Sequence, residues 1–145
     1  MLAWASHEGV TAILIGPDHF TIVTDNLAAT RAFYVELLGF ALGPRPDFPV
    51  DGDWYYIGER PVLHVIVVDV MPEPRRGVLD HMAYSARGLN ETLDRLNAAA
   101  IAYNIIRTPR PFSTWQVFFF DPNGVEVEFD FDPSETLRPD LKPAG

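Results

Sequence analysis

Asp18-His19-Phe20-Thr21-Ile22-Val23-Thr24 returns in outline 62 residues later as Asp80-His81-Met82-Ala83-Tyr84-Ser85-Ala86. Both stretches alternate in side-chain character, so each reads as a β-strand. His19, Thr21 and Val23 share one face against Phe20, Ile22 and Thr24; His81, Ala83 and Ser85 share one against Met82, Tyr84 and Ala86. In both, the histidine lies on the less bulky face. The repetition continues: His64 and Glu128 lie 64 residues apart, so a small indel lays one half of the chain over the other. The expectation is a duplicated module with a metal-ligating residue type near each of its ends.

Outward from the opening strands, a helix follows in each half. Asp25 or Asn26 can cap the first, whose Ala29, Ala32, Phe33 and Leu37 form an apolar stripe ending at Gly39. The second spans about 89–100, with Leu89, Leu93, Leu96 and Ala100 in register. Each helix leads into a Pro-rich loop (43–49 and 108–112) and then into two strands, Trp54 to Ile57 with Val62 to Val68, and Trp115 to Phe120 with Val125 to Phe131. Asp121-Pro-Asn-Gly124 joins the last pair as a hairpin turn, with Asn-Gly expected to supply the positive φ angles of a tight turn. Each half thus reads β, α, then two or three β.

Period two puts His64 on a face with Val62 and Ile66, a single polar group on an otherwise apolar strand. In the last strand Glu126, Glu128 and Asp130 share a face, and alternation does not choose among them. Asp18 and Asp80 point away from their neighbouring histidines' face, so they read as strand-start or loop-capping residues and not as ligands. His7 is the remaining histidine.

The chain of 145 residues carries 11 basic and 20 acidic residues, for a formal charge of −9, and no cysteine. One domain with a sizeable core is the expectation. The charge disfavours nucleic acid and anionic lipid as partners; the lack of cysteine excludes thiol nucleophiles, zinc–cysteine sites and disulfides. Neither a signal peptide nor a membrane-length apolar run is legible, so a cytoplasmic protein is expected. The organisation expected is an N-terminal extension over 1–13, in which 10–15 is a candidate edge strand, one domain over 14–131 with modules at about 18–69 and 80–131, and a Pro-rich tail over 132–145, extended or disordered.

The order of elements, the paired Asp-His starts, the helix end Phe33-Tyr-Val-Glu-Leu-Leu-Gly-Phe40 and the hairpin Asp121-Pro-Asn-Gly-Val-Glu-Val-Glu128 resemble the vicinal oxygen chelate superfamily, the glyoxalase I, bleomycin-resistance and extradiol dioxygenase group. The resemblance covers about 115 residues. It implies an α+β fold of two βαβββ modules forming a half-open barrel around a metal site. It also implies that His19, His64, His81 and Glu128 are the metal ligands, the acid being the one four residues past Gly124. Three imidazoles and a carboxylate suit a divalent transition metal such as Fe, Ni, Zn, Co or Mn, with open positions where two neighbouring substrate oxygens chelate and are polarised.

Three functions follow from the resemblance. The first is a glyoxalase-I-like lyase or isomerase acting through a metal-stabilised enediolate with Glu128 as catalytic base; His64 departs from it, since glyoxalase I usually has Glu at that position. The second is an Fe(II) extradiol-type dioxygenase with a facial triad of two histidines and Glu128, in which His64 would have to serve beside the metal as the acid–base group. The third is a non-catalytic small-molecule binder of the bleomycin-resistance type, which usually lacks the metal residues. The lyase or isomerase is the preferred reading at this stage. Trp54, Tyr56, Phe118 and Phe120 are candidates to line an aromatic pocket, and Arg45, Arg107 and Arg110 to hold a substrate carboxylate. The partners implied are a small-molecule substrate and, by family analogy, a second copy in a homodimer.

Overall fold

The computed structural model describes residues 16–141. His7 and the candidate strand at 10–15 therefore lie outside the described residues. Within them, the chain forms β1 (Phe20–Thr24), α1 (Leu27–Arg31) running on as a π-helical segment (Ala32–Leu37), β2 (Ala41–Gly43), β3 (Gly52–Ile57) and β4 (Arg60–Val67). The second half repeats the order: β5 (Met82–Ala86), α2 (Leu89–Ala98), β6 (Tyr103–Arg107), β7 (Trp115–Phe120) and β8 (Glu126–Phe131).

Each half builds a four-stranded sheet of the same topology, β1-β4-β3-β2 and β5-β8-β7-β6. The first strand of each module runs parallel to the last and the remaining pairs are antiparallel. This is the pair of βαβββ modules expected. Alternation assigns the faces as read: Ile22, Leu63, Val65 and Tyr55 are buried in the first module, and Met82, Val117, Phe119, Val127 and Phe129 in the second. The opposite faces, carrying Thr21, His64 and Trp54 in one sheet and Ala83, Glu128 and Phe118 in the other, are in cross-strand register.

Local chemistry departs from the sequence expectation in four places. First, Asn26 caps α1, its Oδ1 accepting from Ala29 N at 3.0 Å, but the helix widens. Leu38 N donates to Phe33 O, five residues back, and this insertion rotates the buried stripe to Thr30, Phe33 and Tyr34 in place of Ala29, Ala32, Phe33 and Leu37. Second, α2 buries Leu89, Leu93 and Leu96 as expected but stops at Ala98. Ala100 adopts φ 55, and Ala100 N and Ile101 N bond back to Asn97 O and Leu96 O in a Schellman closure.

Third, in the 121–124 turn only Gly124 has positive φ, 87°. Asn123 instead spends its side chain between the modules: Thr24 Oγ1 donates to Asn123 Oδ1 at 2.7 Å, Asn123 Nδ2 donates to Thr30 Oγ1 at 2.9 Å, and Tyr34 Oη donates to Asp121 Oδ2 at 2.9 Å. Asp121 Oδ1 accepts from Asn123 N and Val125 N, so the buried carboxylate is satisfied. Fourth, residues 132–141 show no periodicity yet are packed. Leu137 and Leu141 are buried, Arg138 grips Asp94 at 2.7 and 2.9 Å, and Glu135 accepts from Gly88 N and Leu89 N. Two leucines six or more residues past the last strand were enough to anchor what prolines alone suggested was loose.

Candidate metal centre

His19 stands one residue before β1, and His64 sits on β4 opposite Thr21 and Trp54. The two imidazoles stack, with centroids 3.7 Å apart and planes at 18°; on its other face His64 stacks on Trp54 at 3.9 Å and 6°. His64 Nε2 is buried with no hydrogen-bond partner among the described residues. Burial pushes the His64 pKa below its ordinary value, with nearby His19 adding to the effect, so the ring is neutral at pH 7. His19 Nδ1 lies 2.5 Å from Asp18 Oδ1.

The second module places His81 likewise one residue before β5. His81 Nδ1 lies 2.8 Å from Asp80 Oδ2, and Nε2 lies 2.8 Å from Glu128 Oε2. Glu128 is buried, at 3% exposure, and Gln116 Nε2 donates to its Oε1 and, at 3.0 Å, to Asp130 Oδ1. The hydrogen bond to Asp80 raises the His81 pKa, with Glu128 and Asp80 charges adding to it. Burial raises that of Glu128, with neighbouring Asp130 adding to the effect. Among the three acids of β8, it is Glu128 that meets His81; Glu126 pairs with Arg76 and Asp130 with Gln116.

The four residues are thus brought together two by two, and among the described residues no three His, Asp or Glu side chains converge as one ligand set. Of the four, His81 lines a cavity of about 400 Å³ together with Thr21 and Val23 of β1, Asp80, Arg76 and Glu126, whereas His64 lines a separate one that shares Thr21 with it. Donor chemistry fits a divalent metal at three of the four positions. Ligands at ~2.1 Å from one ion and roughly at right angles stand ~3 Å apart, matching the 2.8 Å between His81 Nε2 and Glu128 Oε2. Asp18 and Asp80 occupy the Nδ1 side of their histidines, which leaves Nε2 for a metal.

His64 fits less well. A metal lies in the plane of the imidazole that binds it, and planes 3.7 Å apart and inclined by 18° meet only on the order of 10 Å away, far beyond a ~2.1 Å bond. As stacked, His19 and His64 do not share an ion.

The sequence reading set Asp18 and Asp80 aside, and the structure gives both the same task, holding the following histidine. The signal was the repeated Asp-His dipeptide itself: strand neighbours face apart, but an Asp ahead of the strand turns back to its neighbour's ring. Gln116, Trp54 as a stacking partner and Arg76, which bonds to Asp80 and Glu126, emerge only from cross-strand register and from the linker's path. Of the loop arginines, Arg107 is engaged, stacked on Trp115 at 4.7 Å and bonded to Ser113 O and Pro133 O. Arg110 sits on an exposed turn. Arg45 borders the His64 face.

This architecture is that of paired βαβββ modules, and the family model described as the glyoxalase/bleomycin resistance protein/dioxygenase superfamily matches residues 16–129. The chain belongs to that superfamily. It is 25% identical over 124 residues to a 2,2',3-trihydroxybiphenyl dioxygenase of Sphingomonas paucimobilis, covering 81% of this chain and 42% of the relative; the chain therefore spans less than half the length of that curated relative. Among solved structures, a putative glyoxalase family protein from Bacillus anthracis superposes with a TM-score of 0.70 at 23% identity, over 85% of this chain and 99% of that one. A lactoylglutathione lyase from Agrobacterium tumefaciens superposes with a TM-score of 0.61 at 20% identity, over 87% of this chain and all (100%) of the other. These two likenesses establish the fold. No helix among the described residues is long and apolar enough to cross a membrane.

Proposed function

We propose that the chain is an extradiol-type ring-cleaving dioxygenase in which His19, His81 and Glu128 hold the metal and His64 acts beside it. The observation that carries this reading is the His19–His64 stack. Two rings so stacked do not share an ion; with His19, whose Nδ1 Asp18 holds, kept as the ligand, two histidines and one carboxylate remain, the residue types of a facial Fe(II) triad. This reverses the preference drawn from sequence alone, and the similarity to a trihydroxybiphenyl dioxygenase supports it. When bound, iron would supply polarisation of two neighbouring substrate oxygens and a place for O2.

The chain's own groups do the rest. Asp18 and Asp80 fix the rotation and tautomer of the two ligand histidines. Gln116 clamps Glu128 against rotation. Neutral His64, which lines a cavity beside the centre, is the group to take a proton from a substrate hydroxyl, and Trp54 covers its far face and keeps water away.

A second reading, the glyoxalase-like lyase or isomerase, is favoured by one observation: burial raises the Glu128 pKa toward the range useful to a general base. Protein purified without chelator and loaded anaerobically with Fe(II) separates the two. Oxygen consumption with catechols, absent in His19→Ala and Glu128→Ala, is the expected result. Isomerisation of a methylglyoxal–thiol adduct by nickel- or zinc-loaded protein, with no oxygen uptake on iron, would overturn the dioxygenase in favour of the lyase.

A further inference from the structure

Beside the His64 ring lies a second cavity, of about 200 Å³, bordered by Thr21, Arg45, Phe48, Val50, Trp54 and Ile66. It is smaller than the ~300–1,000 Å³ of a complete small-molecule site, so it holds part of a substrate whose reacting end lies at the histidines. Its walls are apolar and its mouth is unusual. Phe48 and Val50 are 48% and 47% exposed, large side chains left uncovered on a Pro-rich loop beside the candidate centre.

Arg45 closes this mouth. Its Nη2 donates to Val50 O at 2.5 Å, and its guanidinium lies over the Phe48 ring at 5.2 Å. Those two contacts hold the side chain half-buried in one position, and no carboxylate among the described residues pairs with it. In a chain of formal charge −9, a held guanidinium without a carboxylate partner thus stands at the rim of an apolar cavity. Its remaining N–H groups are disposed for a planar anion.

We propose that this cavity is a substrate subsite for an aromatic or short apolar substituent ending in a carboxylate, with Trp54, Phe48 and Ile66 taking the apolar part and Arg45 the acid. The inference rests on the dioxygenase reading for its account of the other end of the substrate: a vicinal diol carrying an acidic side chain. The subsite itself makes a prediction independent of turnover.

The test is binding to metal-free protein, followed by calorimetry, of 3-phenylpropionate and its neutral amide, with wild type, Arg45→Met and Arg45→Lys. The wild type is expected to prefer the carboxylate by about tenfold, the scale of one charge-assisted contact at a partly exposed site. Arg45→Met should lose that preference and Arg45→Lys retain part of it; Phe48→Ala should weaken acid and amide alike. Equal binding of acid and amide by wild type, or an unchanged preference in Arg45→Met, overturns the subsite. Carboxylate preference without oxygen uptake on any catechol leaves the subsite standing and removes the dioxygenase reading. Oxygen uptake with neutral and acidic catechols at equal kcat/KM does the reverse.

Discussion

Replacing His64 by Phe should make the metal-free protein more stable while abolishing turnover. His64 is held by ring stacking on both faces, and a phenyl ring keeps both contacts, each of which contributes ~0.5–1.5 kcal/mol. What the substitution removes is a buried Nε2 without a partner, a deficit of ~1–3 kcal/mol. Against this stands the extra ring atom, whose accommodation costs about 1 kcal/mol. The balance is a gain of about 1 kcal/mol, or a rise in Tm of ~3 °C for a domain of this size. Thermal unfolding of the metal-free protein by circular dichroism measures the stability, and iron content after anaerobic loading measures ligation. If His64 is a ligand, His64→Phe will lose metal as Glu128→Ala does; that loss, or a fall in Tm of several degrees, would refute the reasoning.

Further outcomes follow from the same geometry. Because the His64 pKa is lowered in the folded state, its neutral form contributes stability that is present above the unfolded value and lost as pH falls through about 6.5 and below. The stability of wild type should therefore drop more steeply than that of His64→Phe on acidification, checked by urea unfolding at several pH values. Asp80→Ala removes the partner of His81 Nδ1 and should weaken metal affinity by about 10–100-fold, read by competition with a chelating dye. Ala100→Gly relieves an alanine at φ 55 and should add about 1 kcal/mol of stability, seen as a higher urea midpoint. Leu137→Ala, by emptying a buried position on the C-terminal segment, should cost about 2–3 kcal/mol.

The fold was legible because duplication doubles every signal. Two alternating strands behind Asp-His, two helices with leucine or phenylalanine stripes, and a Pro-Asn-Gly turn all point to one module used twice. The candidate site was legible as residue types but not as an arrangement. Alternation places His64 and Trp54 on one face, yet whether two rings lie edge to edge around an ion or face to face depends on side-chain rotation, which periodicity does not encode. The hold of Asp18 and Asp80 on their histidines escaped the sequence for a related reason: the two-residue period that separates neighbours begins only at Phe20 and Met82. The tail was misread because the segment carrying Leu137 and Leu141 is held by residues distant in sequence, Asn90 and Asp94 of α2 and Trp115 of β7, brought near only by the completed second module.

Glu135 gives the two modules different histories of assembly. The first helix is capped by its own Asn26, three residues from the amide it satisfies. The second begins at Gly88 with no side-chain cap of its own, and the carboxylate that accepts from Gly88 N and Leu89 N arrives from 46 to 47 residues downstream. On a ribosome, the first turn of α1 can close on its own cap as soon as Ala29 has emerged, whereas α2 waits with open amides until residue 135 is synthesised. The half carrying His81 and Glu128 is therefore the last to set.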